Sequence, residues 1–384
     1  MRKLIDELKS LQDETINIVS SVAEKDYQQQ FHPDLSPIGW HLGHCIYTES
    51  YWIKEQLLGK QCDDASQKSL YVPELSVKQS RGATLPDKGE QLEWAYITQS
   101  ENRSILESIT TEKPSHHLLK NDYLFHFLIQ HYSQHIETML MVLTEMQIQN
   151  TDTNFSPCKR LKARQANKEF VSIDAGIYNI GSENKDSPYD NEYPPHTIER
   201  DSFKIATSPV NNGEYLEFIN AGGYSIKDFW SVAGWQWCIV TQNTHPHHWR
   251  RQNDNLWFGV NHKGSYLLEE QQAVHGLNYY EAEAYAKWIG GRLPHEYEWE
   301  IAYKNNCIQQ TALVWEWCSN TFHPYAGFSA YPYEGYSVPY FDENHYVLKG
   351  GSSFTKEVIK RPSFRNYYTA DKRHIFAGIR LVYS

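Results

Sequence analysis

The sequence predicts an all-helical unit followed by a mixed α+β unit with little regular structure. Three observations point there. The chain of 384 residues is longer than one hydrophobic core usually serves, so more than one domain is expected. Apolar residues recur with helical period through the first 150 residues. After Lys168 that period gives way to short alternating runs between turn signals, the mark of strands.

In chain order, Leu4, Leu8, Leu11, Ile16 and Val19 mark a first helix. The stretches WHLGHCIYTESYWIKEQLL, EQLEWAYITQSENRSILESI and LFHFLIQHYSQHIETMLMVL mark three more of similar length. Four helices of about 20 residues imply an antiparallel bundle, expected over residues 1–150. The polar stretch from Gly59 to Asp87, punctuated by Gly and Pro, reads as a long connection or lid. Residues 151–167, polar and basic (TDTNFSPCKRLKARQAN), read as the domain linker. In the second domain, 168–384, EFVSIDAGIYNIGS, HTIERDSFKIATSPV and HYVLKGGSSF alternate apolar and polar residues, and NYYEAEAYAKWIGG is the one clear helix. Twelve Trp and 27 Tyr suit a domain of long loops held together by large flat side chains.

A formal charge of -11 and a pI near 5.9 argue against nucleic acid or an anionic membrane as the main partner, since both need a basic face. Small-molecule substrates are expected instead. No run of about 18 apolar residues occurs. The start MRKLIDELKSLQDE lacks the apolar core of a signal peptide, so a cytoplasmic location is expected. Cysteines 45, 62, 158, 238, 307 and 318 form no CxxC pair and read as free thiols in a reducing compartment. The sequence sets no oligomeric state.

The chemistry-bearing feature of the bundle is QHYSQHIETM, with His131 and His135 four residues apart. Positions i and i+4 share a helix face, and neutral imidazole is a good ligand for zinc, iron or copper. The second helix adds His41 and His44 in GWHLGHC, so two helices of one bundle offer imidazoles, as bundle metal sites commonly require. Spacing alone does not separate His41 from His44. Glu137 lies about 200 degrees around the helix from His135 and reads as a structural contact, and Cys45 reads as packing.

The motifs SPIGWHLGH and QHYSQHIETM, followed by GGRLPHEYEWEIAY, VWEWC, VLKGGSS and RPSFRNYYTADKRHIFAGIRL, resemble the hercynine oxygenases, the sulfoxide synthases of ergothioneine biosynthesis. The resemblance runs from about Phe31 to Leu381. It implies a DinB-like four-helix bundle fused to a formylglycine-generating-enzyme-like domain, related to C-type lectins. It also implies an Fe(II)- and O2-dependent oxidoreductase whose three iron-binding histidines are His44, His131 and His135, with His41 outside the set. Three imidazoles on one face leave about three positions open on a six-coordinate ion, enough for a thiolate, an imidazole substrate and dioxygen. The implied reaction joins a thiol sulfur to the imidazole ring of hercynine, a trimethylated histidine, and leaves one oxygen atom on sulfur as a sulfoxide.

For the second domain, the resemblance implies substrate contacts at Arg365, Asn366 and Tyr367, joined by Gln134 from the bundle. An aromatic face at Tyr367 suits a quaternary ammonium. Where family members that use gamma-glutamyl-cysteine resemble RNWD followed by paired arginines, this chain has Tyr368, then Lys372 and Arg373. Plain cysteine is therefore favoured as donor. A proton-supplying tyrosine is expected from HPYAGFSAYPYEGY, one of Tyr325, Tyr331 and Tyr333, with Tyr336 beside them. No cysteine falls between Ser363 and Arg373, which sets aside formylglycine-generating oxidase chemistry. Alternatives at this point are a synthase of the same family using selenium or unmethylated histidine, a zinc-dependent DinB-like thiol transferase or hydrolase, and a non-catalytic small-ligand module. Attack at C2 or C5 of the imidazole also stays open.

Overall fold

A computed structural model describes residues 1–60, 65–112, 115–150, 155–166, 169–183, 188–252 and 256–383. The chain divides into two compact units, Met1–Asn150 and Thr151–Ser384. Of the segment expected as a linker, 155–166 is irregular and 151–154 and 167 lie outside the described residues.

In the first unit, α1 (Arg2–Ser21), α3 (Ile38–Ser50), α5 (Lys88–Glu112) and α6 (Tyr123–Gln149) are the four long helices, with a single turn, α2 (Glu24–Tyr27), after the first. A π-helical turn over Tyr51–Leu57 continues α3. α1 packs on α5 and α6, and α3 packs on the same two, so each helix buries its apolar stripe on two neighbours. Leu8, Val19, Leu42, Ile46, Leu106, Leu128 and Ile136 are among the side chains removed from water.

A polar tie runs through this apolar core. Glu49 of α3 is fully buried. Its carboxylate accepts from Gln12 Nε2 of α1 at 2.8 Å, Asn102 Nδ2 of α5 at 2.9 Å and Tyr132 OH of α6 at 2.6 Å. Burial pushes the Glu49 carboxyl upward, while those three donors and Arg103 act the other way. One side chain from each long helix thus meets at a single carboxyl group. Such a contact fixes helix register in a way that interchangeable apolar side chains do not.

The segment read from sequence as a connection holds more structure than expected. It contains a helix, α4 (Ala65–Tyr71), and two 3-10 turns, Lys78–Ser80 and Gly82–Thr84; residues 61–64 lie outside the described residues. Arg81 anchors it, 5% exposed, donating to Ser36 Oγ at 2.7 Å and lying over the Trp40 ring at 3.9 Å.

The second unit is mixed, with small sheets and short helices. A three-stranded sheet has the order β1 (Phe170–Ile173), β4 (Phe203–Ala206), β12 (Val382–Tyr383), and β2 (Gly176–Ile180) pairs with β3 (His196–Arg200). A further antiparallel sheet joins β5 (Trp249–Gln252), β6 (Leu256–Asn261) and β7 (Gly264–Tyr266). The four-stranded sheet runs β10 (Asn366–Thr369), β9 (His345–Lys349), β8 (Trp315–Thr321), β11 (Ala377–Gly378), with β11 parallel to β8. The runs expected as strands lie on β1 to β4 and β9.

NYYEAEAYAKWIGG forms α9 (Tyr279–Trp288), but α7 (Asn212–Asn220), α8 (Val232–Thr241) and α10 (Glu296–Lys304) are also present. The signal for two of them was legible as capping boxes. Asn211 exchanges hydrogen bonds with Glu214 at 3.0 and 2.9 Å. His295 N donates to Glu298 at 2.7 Å while His295 Nδ1 accepts from Tyr297 N at 3.2 Å.

Cations from the last part of the chain are docked on buried carboxylates. Lys349 pairs with Glu300, Arg361 with Glu192, Arg365 with Glu296, Arg373 with Glu281 and Arg380 with Glu316. A buried charge is tolerable only when paired and hydrogen-bonded, so these pairs dictate where the C-terminal strands lie on α9, α10 and β8.

Candidate metal centre and substrate-facing residues

The histidines of the first unit converge. One ring nitrogen each from His44, His131 and His135 lies within 4.8 Å of the others. His44 Nε2 and His131 Nε2 are 3.2 Å apart, and the His131 and His135 ring centroids are 4.5 Å apart. Two ligands at right angles on an ion with bonds of about 2.1 Å would sit about 3.0 Å apart, so this spacing fits one divalent ion shared by the imidazoles.

Local structure explains how His44 is aimed. The C-terminal carbonyls of α4 have no partner within their own helix. Leu70 O accepts from Trp40 Nε1 at 2.8 Å, and Tyr71 O from His44 Nδ1 at 2.7 Å. A carbonyl has only lone pairs, so the His44 proton sits on Nδ1 and Nε2 keeps its lone pair for a metal. Gly43 makes this possible, since a Cβ there would meet the Tyr71 ring at 2.1 Å. The Trp40 ring stacks on His44, centroids 4.8 Å apart.

Burial keeps all of these imidazoles neutral. His44 is pushed down to about 4 by desolvation, and His41 to about 3 by desolvation and then the neighbouring His44. His131 and His135 lie well below the ordinary range for the same first reason. Neutral imidazole is the form a metal needs.

The sign of the pH effect follows. Between about pH 6.5 and 4 the unfolded chain binds protons that the folded unit refuses, so stability falls on acidification. We expect the helical signal at 222 nm of the metal-free protein to melt at a steady temperature from pH 8 to 7 and progressively lower from pH 6.5 to 4. A melting temperature that rises over that lower window would contradict the burial of these rings.

His41, also buried, is outside the convergent group; its Nδ1 lies 3.1 Å from His135 Nδ1. Gln134 is half-buried on α6 between the two histidines. Glu137 is buried on α6, and Cys45 is fully buried with its thiol pushed up by desolvation. Cys45, Cys158, Cys238, Cys307 and Cys318 are free thiols, and Cys62 lies outside the described residues.

In the second unit the structure divides the residues grouped by sequence. Arg365 is 1% exposed and its donors are taken. Nε and Nη2 bind Glu296 at 2.7 and 2.8 Å, Nη1 binds Asn191 O at 2.9 Å, and Nη2 also reaches His323 O at 2.8 Å. The expectation of a substrate carboxylate anchor at Arg365 is therefore corrected: the guanidinium holds β10 in place. The half-buried Tyr367 ring stacks on Phe322 at 4.3 Å and meets Tyr340 at 4.8 Å, while its hydroxyl donates to Tyr336 O. Arg373 is bound in bidentate fashion to Glu281, at 2.9 Å by both Nε and Nη2, and is no free donor-binding cation. Lys372 pairs with Asp371 at 3.1 Å.

Side chains alternate across a strand, so Asn366 and Tyr368 face away from Tyr367. Both are half-buried. Among the tyrosines, Tyr325 is 3% exposed within a core cluster with Phe203, Ile205 and Trp299, and the Arg365 guanidinium lies 4.2 Å from its ring centre. Its hydroxyl is buried with no hydrogen-bond partner among the described residues. Tyr331 is half-buried with its N–H on Asp190 at 3.3 Å, Tyr333 is 42% exposed, and Tyr336 stacks on Tyr189 at 4.0 Å. Asp190, which sequence reasoning missed, also accepts from Ser337 at 2.5 Å and so holds the tyrosine-rich loop at both ends.

A helical unit with a three-imidazole rung, followed by a mixed unit of small sheets stapled by buried ion pairs, defines a two-module protein with a candidate metal centre in its first module. Residues 7–139 match the DinB superfamily, and 157–311 and 312–384 match the sulfatase-modifying factor enzyme 1-like domain. The chain is 30% identical to hercynine oxygenase of Mycobacterium tuberculosis, over 92% of each chain. It is 27% identical to that of Mycolicibacterium smegmatis, over 99% of this chain and 98% of the other. With the Mycolicibacterium thermoresistibile enzyme the identity is 28%, over 100% and 94%.

The chain belongs to the hercynine oxygenase family. It is an oxygenase, an oxidoreductase acting on small molecules with O2. The zinc transferase or hydrolase and the non-catalytic module are set aside by this membership. Among the described residues, no helix is long and apolar enough to cross a membrane.

Proposed function

We propose that this protein is a non-heme Fe(II)-dependent sulfoxide synthase joining a thiol to the imidazole ring of hercynine. The observation that carries it is the convergence of His44, His131 and His135, with the His44 and His131 Nε2 atoms 3.2 Å apart. An ion held there by three neutral imidazoles keeps positions open for a thiolate, the substrate imidazole and O2, and when bound supplies the oxidative carbon–sulfur chemistry. The family to which the curated relatives belong supports hercynine as substrate.

The chain's own residues divide the remaining work. His44, His131 and His135 hold the metal, with His44 oriented by the Tyr71 carbonyl. Within the helical unit Gln134 is the candidate substrate contact; within the second unit Asn366 and Tyr368 are, and Tyr331 or Tyr333 is the candidate proton donor. Tyr368 offers no negative charge to the ammonium of a glutamyl arm, and Arg373 is neutralised by Glu281. A donor without the glutamyl arm, plain cysteine, suits that environment best.

Anaerobic loading with Fe(II), then oxygen uptake with each pairing of cysteine or gamma-glutamyl-cysteine with histidine or hercynine, tests this. We expect uptake and a coupled product carrying one added oxygen for cysteine with hercynine. Uptake confined to gamma-glutamyl-cysteine would reverse the donor assignment, and none with any pair would end the synthase reading.

A further inference from the structure

The fourth imidazole of the helical unit is outside the convergent group yet touches it. His41 is 5% exposed and stands one turn before His44 on α3, the two sharing a helix face. Its Nδ1 lies 3.1 Å from His135 Nδ1, its Nε2 is buried, and the ring also meets a backbone hydrogen-bond acceptor of Ser36.

One proton lies between the two Nδ1 atoms, and its owner matters. If His41 holds it, His135 carries its own proton on Nε2, and that nitrogen offers no lone pair. If His135 holds it, His135 Nε2 is bare. Where His135 offers Nε2 to the ion, only the second allocation leaves it able to join His44 and His131. The same arrangement is already present at His44, whose Nδ1–H is captured by the Tyr71 carbonyl at 2.7 Å. Among the described residues His131 has no such backing, since its Nδ1 is buried without a partner there. Two of the three imidazoles are therefore oriented from behind, one by a backbone carbonyl and one by a side chain.

Resting on the metal-site reading above, we infer that His41 is a positioning residue: its Nδ1 accepts the His135 Nδ1–H, fixing the tautomer and ring orientation that present His135 Nε2 to the metal. Outer partners of metal-bound histidine typically change affinity by about 10–100-fold. Asparagine places its side-chain oxygen close to where histidine has Nδ1, whereas phenylalanine keeps the flat ring and removes the acceptor. The two variants thus separate hydrogen bonding from packing.

The test is anaerobic titration of the full chain with Co(II), read by visible absorption, together with proton NMR of the Co(II) form for the exchangeable His135 ring N–H. In His41→Phe the dissociation constant should rise by about 10–100-fold and the His135 N–H signal should broaden into solvent exchange. His41→Asn should keep the signal and most of the affinity. Wild-type affinity in His41→Phe, or equal loss in both variants, would overturn the inference while leaving the metal site intact. Undiminished Co(II) binding by His135→Ala would instead overturn the site, and this inference with it.

Discussion

Alanine at any one of His44, His131 or His135 is expected to lower metal affinity by a factor of about 10² to 10³ and to abolish oxygen uptake. The magnitude follows from structural zinc sites, where about 10–16 kcal/mol is shared by four ligands, roughly 3 kcal/mol each. Activity should fall further than affinity, because two remaining imidazoles fix neither the ion's position nor its open sites. Pairs of these changes should cost little more activity than one, as expected of residues acting as a unit. The helical unit should stay folded, since Glu49, Gln12, Asn102 and Tyr132 tie the four helices independently of the histidines. Circular dichroism and a Co(II) titration on each variant check both halves, and full metal binding by any of the three would remove that residue from the site.

Arg365→Met is expected to act on stability and not on substrate affinity. The guanidinium and the Glu296 carboxylate are both buried, and their bidentate contact excludes water. Burial alone would raise the Glu296 carboxyl, and Arg365 holds it below its ordinary value. Removing the cation strands a buried anion at a cost of about 3–5 kcal/mol. For a unit of this size that lowers the melting temperature by roughly 6–20 °C. Adding Glu296→Gln should recover much of the loss, because a buried pair replaced together costs far less than one partner removed. Calorimetry and Michaelis kinetics on the single and double variants decide it. A single variant with native stability and a raised KM for hercynine would restore Arg365 as a direct anchor.

These expectations show where sequence sufficed. The four long helices were legible because helical period is local: each apolar stripe is written within about 20 residues. The pair His131 and His135 was legible for the same reason, i and i+4 facing one way on any helix. Glu214 and Glu298 were also within reach, since a capping box spans only four residues. The choice of second domain came from motif resemblance, not from periodicity.

What spacing could not give depends on contacts between distant segments. His41 and His44 occupy one helix face three residues apart, and what distinguishes them is the Tyr71 carbonyl, 27 residues on from His44. That carbonyl lies in a stretch whose polar composition concealed α4. Arg365, Asn366, Tyr367 and Tyr368 form one run in sequence, but Glu296, 69 residues from Arg365, and Phe322 claim the alternate members, leaving Asn366 and Tyr368 on the other face of β10. The Glu49 tie gathers one residue from each of four helices and leaves no motif in any of them. By itself the sequence determined which residue types stand on which local face, because backbone periodicity alone sets that. Only the tertiary structure decided which of those polar groups are already satisfied, because a hydrogen bond or buried ion pair is defined by its partner, and the partners here lie tens of residues away.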